Sequence, residues 1–122
     1  MSVAVALASL VDALERAGMR TAVRDGDITP PVVYVQIATT GDTGIPMTGG
    51  TLTGFWVHYI PIRGVDNIAG EADALDAIRA ALTPLAMTEL TSIRSSVTVR
   101  NDSWPCHRFD VALLATPAVL KG

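Results

Sequence analysis

The sequence predicts a single α+β domain: a mostly antiparallel or mixed sheet of about five strands, with two helices packed on one of its faces. Three observations lead there. Two segments repeat their apolar residues with helical spacing, while the stretches between and after them alternate with a period of two. The order reads helix, strand, strand, strand, helix, strand, strand, so most strands are joined as hairpins. Only one strand pair is joined through a helix, which disfavours a strictly parallel βαβ fold. A chain of 122 residues is close to the commonest size of one domain, so residues 1 to 122 are read as a single unit.

Ser2 to Ala17 carries Val3, Leu7, Leu10, Val11 and Leu14 on one helical face and Asp12, Glu15 and Arg16 on the other. Ser2 can cap this helix, and Gly18 stands where a left-handed residue would end it. Ala4, Ala6, Ala8 and Ala13 let a sheet approach closely. Met19 to Arg24 is a short extended piece, Asp25-Gly26-Asp27 is a turn, and Pro30-Pro31 keeps the chain extended ahead of a strand from Val32 to Thr39. That strand puts Val33, Val35 and Ile37 on one face and Val32, Tyr34 and Gln36 on the other.

Residues 40 to 50 hold Gly41, Gly44, Gly49, Gly50 and Pro46 without a regular period, and read as a long flexible loop. Thr51 to Ile62 then alternates Phe55, Val57 and Tyr59 with Leu52, Trp56, His58, Ile60 and Ile62. Both sets are apolar enough to predict cover on both sides. Asp66 or Asn67 can cap a second helix in which Ile68, Ala72, Leu75, Ile78, Ala81 and Leu82 face inward, opposite Glu71, Asp73, Asp76 and Arg79, with Pro84 ending it near Leu82. Ile93 to Arg100 is the next strand, with Ile93, Val97 and Val99 inward. Asn101-Asp102-Ser103 is its turn, Phe109, Val111 and Leu113 mark the returning strand, and Thr116 to Gly122 read as a C-terminal tail.

Composition narrows the functions. Nine Lys and Arg against twelve Asp and Glu give a net charge of −3, and the basic residues are scattered, so no patch holds nucleic acid by counterion release. The apolar stretch from Val3 to Val11 is far short of the ~20 residues that span a bilayer. Nothing basic precedes it, so a secretory signal is not expected and the protein is placed in the cytoplasm at synthesis. Only 17% of residues are charged, which leaves too little charged surface for a comfortable monomer and points to association with other copies.

Cys106, the single cysteine, rules out an intrachain disulfide and a multi-cysteine zinc site. Cys106-His107 with Asp110 nearby superficially offers a nucleophile, a base and an acid. Adjacent strand residues point to opposite faces, so the thiol and that imidazole do not meet. His58, in a strand among aromatic residues, reads as a packed or interface side chain. Gly41 to Gly50 has no lysine and runs into a strand, so it is not a phosphate cradle. Asp25-Gly26-Asp27 is a turn before it is half a calcium loop, and Asp73 with Asp76 is a solvated face. No catalytic, cofactor or metal constellation is expected.

The whole pattern carries more. The chain has a leading helix ending Leu14-Glu15-Arg16-Ala17-Gly18, then Asp25 to Pro31 opening the strand Val32-Val33-Tyr34-Val35. Later come the helix Ala72-Asp73-Ala74-Leu75-Asp76-Ala77-Ile78 and the strand Trp104-Pro105-Cys106-His107-Arg108-Phe109-Asp110-Val111. In these features it resembles the tail terminator proteins of long-tailed, siphovirus-type phages of actinobacteria, over nearly its whole length. The glycine-rich stretch Gly41 to Gly50 is longer than in many of them.

The resemblance implies a structural virion protein, not an enzyme, that needs no cofactor. Such proteins form a ring, usually of six copies, which sits on the last ring of the tail tube protein and stops its growth. The ring then offers a surface to the head-completion and neck proteins, with DNA passing through as cargo and no membrane involved. The expected location is the neck region of the virion tail, after assembly in the host cytoplasm. The apolar Ile45 and Met47 make Gly41, Asp42, Thr43, Gly44, Ile45, Met47 and Gly49 the expected contacts to a neighbouring subunit or the tube. Two other readings stay open. One is another head-tail connector, a head-completion or stopper protein. The other is a small cytoplasmic enzyme or ligand-binding domain using Cys106, His58 and Arg108.

Overall fold

The computed structural model describes residues 2–42, 51–62, 68–87 and 89–115. In chain order it contains α1 (Ser2–Arg16), β1 (Thr21–Ala22), a 3-10 turn (Asp25–Asp27), β2 (Val32–Asp42), β3 (Thr51–Ile60), α2 (Ile68–Leu82), β4 (Ser92–Val99) and β5 (Asp102–Ala115). The strands form one five-stranded mixed sheet in the order β1-β2-β3-β5-β4. β1 is parallel to β2, whereas β2–β3, β3–β5 and β4–β5 are antiparallel. This is the α+β class that the two periodicities predict.

In α1, Ala6, Leu10 and Leu14 are buried at steps of four, with Val3, Leu7 and Val11 half-buried beside them. Ala6, at the N-terminal end of the buried stripe, lets that end of the helix lie close to its neighbours. The helix stops where expected, because Gly18 adopts φ +85°. Its N–H donates to Glu15 C=O and that of Met19 to Leu14 C=O, both at 3.0 Å, the paired bonds that satisfy the last carbonyls of a helix. Met19 then packs against the core.

α2 buries Ile78 and Leu82 and lays Ala74 and Leu75 against the same core. Three expectations fail at its start, where Ala72, expected inward, is exposed. Ile68 is 76% exposed, and Glu71 turns inward to His107 at 3.1 Å. The start of the helix stands off the sheet, leaving a cleft of about 360 Å³ lined by Ile68, Glu71, Ala72, Leu75, Arg94 and His107. Past Leu82, Thr83 Oγ1 donates to Arg79 C=O at 2.7 Å. Met87 N–H donates to Ala112 C=O at 2.8 Å, so the chain touches β5 before it enters β4.

Strand lengths also depart from the sequence reading. Thr40, Gly41 and Asp42, expected in the loop, pair with Thr53, Leu52 and Thr51, because the hairpin ladder continues while both strands stay extended. The rest of the expected loop, residues 43 to 50, lies outside the described residues, as does the tail Thr116 to Gly122. A bulge at Ala38, between Ile37 and Thr39, shifts the β2–β3 register. Ile37 keeps the face of Val33 and Val35, opposite Phe55, and beside the bulge it is 50% exposed.

The β4–β5 connection is a two-residue turn, Arg100–Asn101, with φ values of +51° and +69°, and Asp102 and Ser103 already pair with Val99 and Thr98. Positive φ at both central residues matches the right-handed twist of the flanking strands, and that twist selects the tighter turn over the expected Asn101-Asp102-Ser103. Ile93, expected inward, is 47% exposed, since no helix covers its side of the sheet.

Both helices pack on one face. Ala6, Leu10 and Leu14 of α1 and Ile78 and Leu82 of α2 share a cluster with Val33, Val35, Phe55, Val57, Tyr59, Phe109, Val111 and Leu113. A second cluster fills one end of the opposite face, from Ala22, Val32, Tyr34, Ile60, Val97, Val99 and Cys106, closed over by Ile28 and Trp104. It joins residues of the first and last strands in the sheet order, which in a flat sheet would stand about 19 Å apart. The sheet therefore curls towards its helix-free side, and Arg100 reaches the 3-10 turn at Gly26. The cover predicted for both faces of β3 is realised by helices on one side but only in part on the other, where His58 and Ile60 are buried while Trp56 and Ile62 are 40% and 49% exposed.

Candidate functional site

Besides the Glu71–His107 pair on the helix side, the described polar side chains that could do chemistry gather on the helix-free face, where β2, β3 and β5 lie side by side. Tyr34 pairs with His58 and Gln36 with Trp56. His58 pairs with Arg108 and Trp56 with Asp110. Strand alternation brings Cys106 to the same face, two residues before Arg108. His58 Nε2 lies 2.9 Å from Gln36 Oε1, and Cys106 Sγ lies 3.7 Å from His58 Nδ1. A neutral imidazole fits both partners: Nε2–H donates to the amide oxygen, and Nδ1 accepts from the thiol. The Tyr34 ring stacks on the imidazole with centroids 5.9 Å apart, and Trp56 meets it edge-on at 6.5 Å.

The expected separation of Cys106 and His107 holds, since His107 is on the helix side with Glu71. What the sequence reading missed is that the thiol meets the other histidine. Nothing in the linear spacing of residues 58 and 106 announces it; the β3–β5 register does. The same rungs place Arg108 over Trp56, with Cζ 5.6 Å from the ring centroid. Arg108 Nε is 3.1 Å from Asp110 Oδ1, yet it is buried without an aligned hydrogen-bond acceptor.

Electrostatics decide what the Cys106–His58–Gln36 chain can do. His58 is 3% exposed and Cys106 2% exposed. Burial, with the Arg108 cation adding to it, lowers the His58 pKa to about 4. Burial pushes the Cys106 thiol up from its ordinary value, against a smaller opposing pull from Arg108. Both groups are thus driven to their neutral forms, the reverse of the thiolate and imidazolium that make a cysteine nucleophilic. The chain is arranged as a satisfied polar element of the core.

Of the contact residues expected from the sequence, Gly41 and Asp42 are the last two residues of β2. Thr43, Gly44, Ile45, Met47 and Gly49 lie outside the described residues. Among the described residues no group of three or more His, Cys, Asp or Glu could hold a metal ion, and no helix is long and apolar enough to cross a membrane. No protein-family model matches the chain, and no curated protein matches it.

Proposed function

We propose that this chain is a structural virion protein of the tail-terminator kind. It forms a ring, of six copies, on the end of the tail tube, stops tube polymerisation, and offers a surface to the head-completion and neck proteins. The observation that carries the reading is the build of the sheet. Helices close one face, the curl closes one end of the other, and β4 and the part of β2 beyond Tyr34 have edges that no described strand occupies, a form suited to joining copies side by side. The resemblance running from the Leu14–Gly18 helix end to the Trp104–Val111 strand supplies the class. Gly41 and Asp42, together with Thr43, Gly44, Ile45, Met47 and Gly49, are assigned to contact with a neighbouring copy or the tube.

The test is assembly without the protein. Tails made in its absence are expected to overrun their normal length or fail to join filled heads, while tube protein still polymerises. Tails of normal length that fail only at head joining would move the protein to the head-completion or stopper class. Tails of normal length that also join heads would end the reading.

The Cys106–His58–Gln36 chain is the observation on the residues named above that favours a small enzyme or ligand-binding domain. Its burial and neutral electrostatics weigh against that use. A native thiol reacting faster than a free cysteine would restore it.

A further inference from the structure

We infer that the cleft between the start of α2 and the β4–β5 hairpin binds a short aliphatic monocarboxylate, its carboxylate held by Arg94 and the protonated ring of His107 and its alkyl chain by Ile68, Ala72 and Leu75. The site uses none of the residues assigned above to contact between copies, and it goes beyond the terminator reading without resting on it.

The β4–β5 register sets the polar side of the cleft. Arg94 and His107 stand directly opposite one another and both line the cleft, so their side chains leave the sheet about 5 Å apart on the same face. His107 is held in place, because its Nε2 meets Glu71 Oε1 at 3.1 Å and the two side chains are only 23% and 25% exposed. Arg94 is exposed, and none of the ion pairs among the described residues includes it. A guanidinium so placed presents a planar fork of donors that matches a carboxylate.

Charge and shape select the ligand. Glu71, Arg94 and His107 are the ionisable side chains among the described residues that line the cleft. β3 adds Tyr59 on the other side of His107, its hydroxyl kept neutral by burial and by the Glu71 charge, while Asp73 and Asp76 of α2 are exposed and line no part of it. With a neutral His107 the three lining groups sum to zero, and Glu71 repels an incoming anion. With His107 protonated they carry one positive charge, which one carboxylate balances and a dianion exceeds. Binding therefore brings a proton onto His107, histidine being the side chain that changes charge between pH 5 and 8. Ile68, 76% exposed, Ala72 and Leu75 make up the rest of the lining, and an alkyl chain laid on them takes apolar surface out of water. At about 360 Å³ the cleft is at the small end of ligand sites, which suits a chain of few carbons.

Arg94 offers a probe that leaves the fold alone, since its side chain is exposed. Arg94→Met removes the charge and keeps much of the stem, whereas Arg94→Lys keeps the charge and loses the fork. His107→Gln retains a donor for Glu71 and has no proton to take up.

The experiment is calorimetric titration of the full chain with acetate, butanoate and hexanoate in two buffers of unlike ionisation enthalpy, beside the nuclear magnetic resonance signals of the His107 ring. Hexanoate is expected to bind with proton uptake, to shift the His107 signals, and to weaken several-fold as pH rises from about 6 to 8. Each methylene added along the series should tighten binding by up to about fourfold. Arg94→Met should lose about tenfold or more in affinity at an unchanged melting temperature, Arg94→Lys should lose less, and His107→Gln should bind weakly without proton uptake. Failure of millimolar hexanoate to shift the His107 signals would overturn the inference, whatever fills the cleft instead. Hexylamine binding as tightly as hexanoate would also overturn it, because only an apolar surface would then be at work. Equal affinity in the Arg94→Met protein would do the same. None of these outcomes bears on tail assembly, so the terminator reading stands or falls separately.

Discussion

Cys106 Sγ sits 3.7 Å from His58 Nδ1 across 48 residues of chain, while the histidine next to it in sequence, His107, bonds Glu71 on the other side of the sheet. A nucleophile–base spacing read along the chain thus dissolves, and one built by strand register replaces it. The replacement is buried and neutral, so its consequences appear in stability.

His58 titrates in acid with a defined sign. Its folded pKa of about 4 lies below the ordinary 6.5, so the unfolded chain binds the proton first. The stability from keeping this ring neutral is complete above pH 6.5 and is lost as pH falls through the window down to 4. The loss is about 3 kcal/mol at most. Chemical denaturation at pH 7 and pH 4.5 measures it, and His58→Gln should flatten that part of the profile. An unchanged profile in the variant would show that the imbalance lies with other groups.

Cys106 should resist thiol reagents in the native protein and react at the ordinary rate once unfolded, because burial raises its pKa and closes access. Cys106→Ala should cost about 1 to 2 kcal/mol through lost packing and leave assembly intact. Loss of function in a fully folded Cys106→Ala protein would contradict the packing role.

Leu10→Ala should destabilise the fold by roughly 2 to 5 kcal/mol, since Leu10 is fully buried and its truncation leaves a cavity. Asp12, paired with Arg16 at 3.0 Å on the exposed side of the helix, should cost less than about 1 kcal/mol when changed to alanine. Equal unfolding midpoints for the two variants would place the wrong helical face inward.

Asn101 holds φ +69° in the β4–β5 turn, a conformation that asparagine and glycine tolerate and β-branched residues do not. Asn101→Val should cost about 1 to 2 kcal/mol, whereas Asn101→Gly should be neutral or slightly stabilising. Equal melting temperatures for both would show that the turn relaxes to another form.

The local elements were legible along the chain. The 3.6-residue spacing of Leu10 and Leu14 and of Ile78 and Leu82 fixed both helices and their inward sides, Gly18 fixed where α1 stops, and alternation fixed the strands, because these depend on neighbours a few residues apart. Opposite faces for Cys106 and His107 followed from the same alternation. Tertiary structure decided everything that depends on how strands lie beside one another. The β3–β5 register chose His58 as the partner of Cys106 and brought Arg108 over Trp56. The stand-off of α2 from the sheet exposed Ile68 and turned Glu71 to His107, and the twist of the β4–β5 hairpin selected the Arg100–Asn101 turn. A register slip of one residue moves every side chain of a strand to the other face, and burial, which neutralises His58 and Cys106, exists only after the sheet has curled.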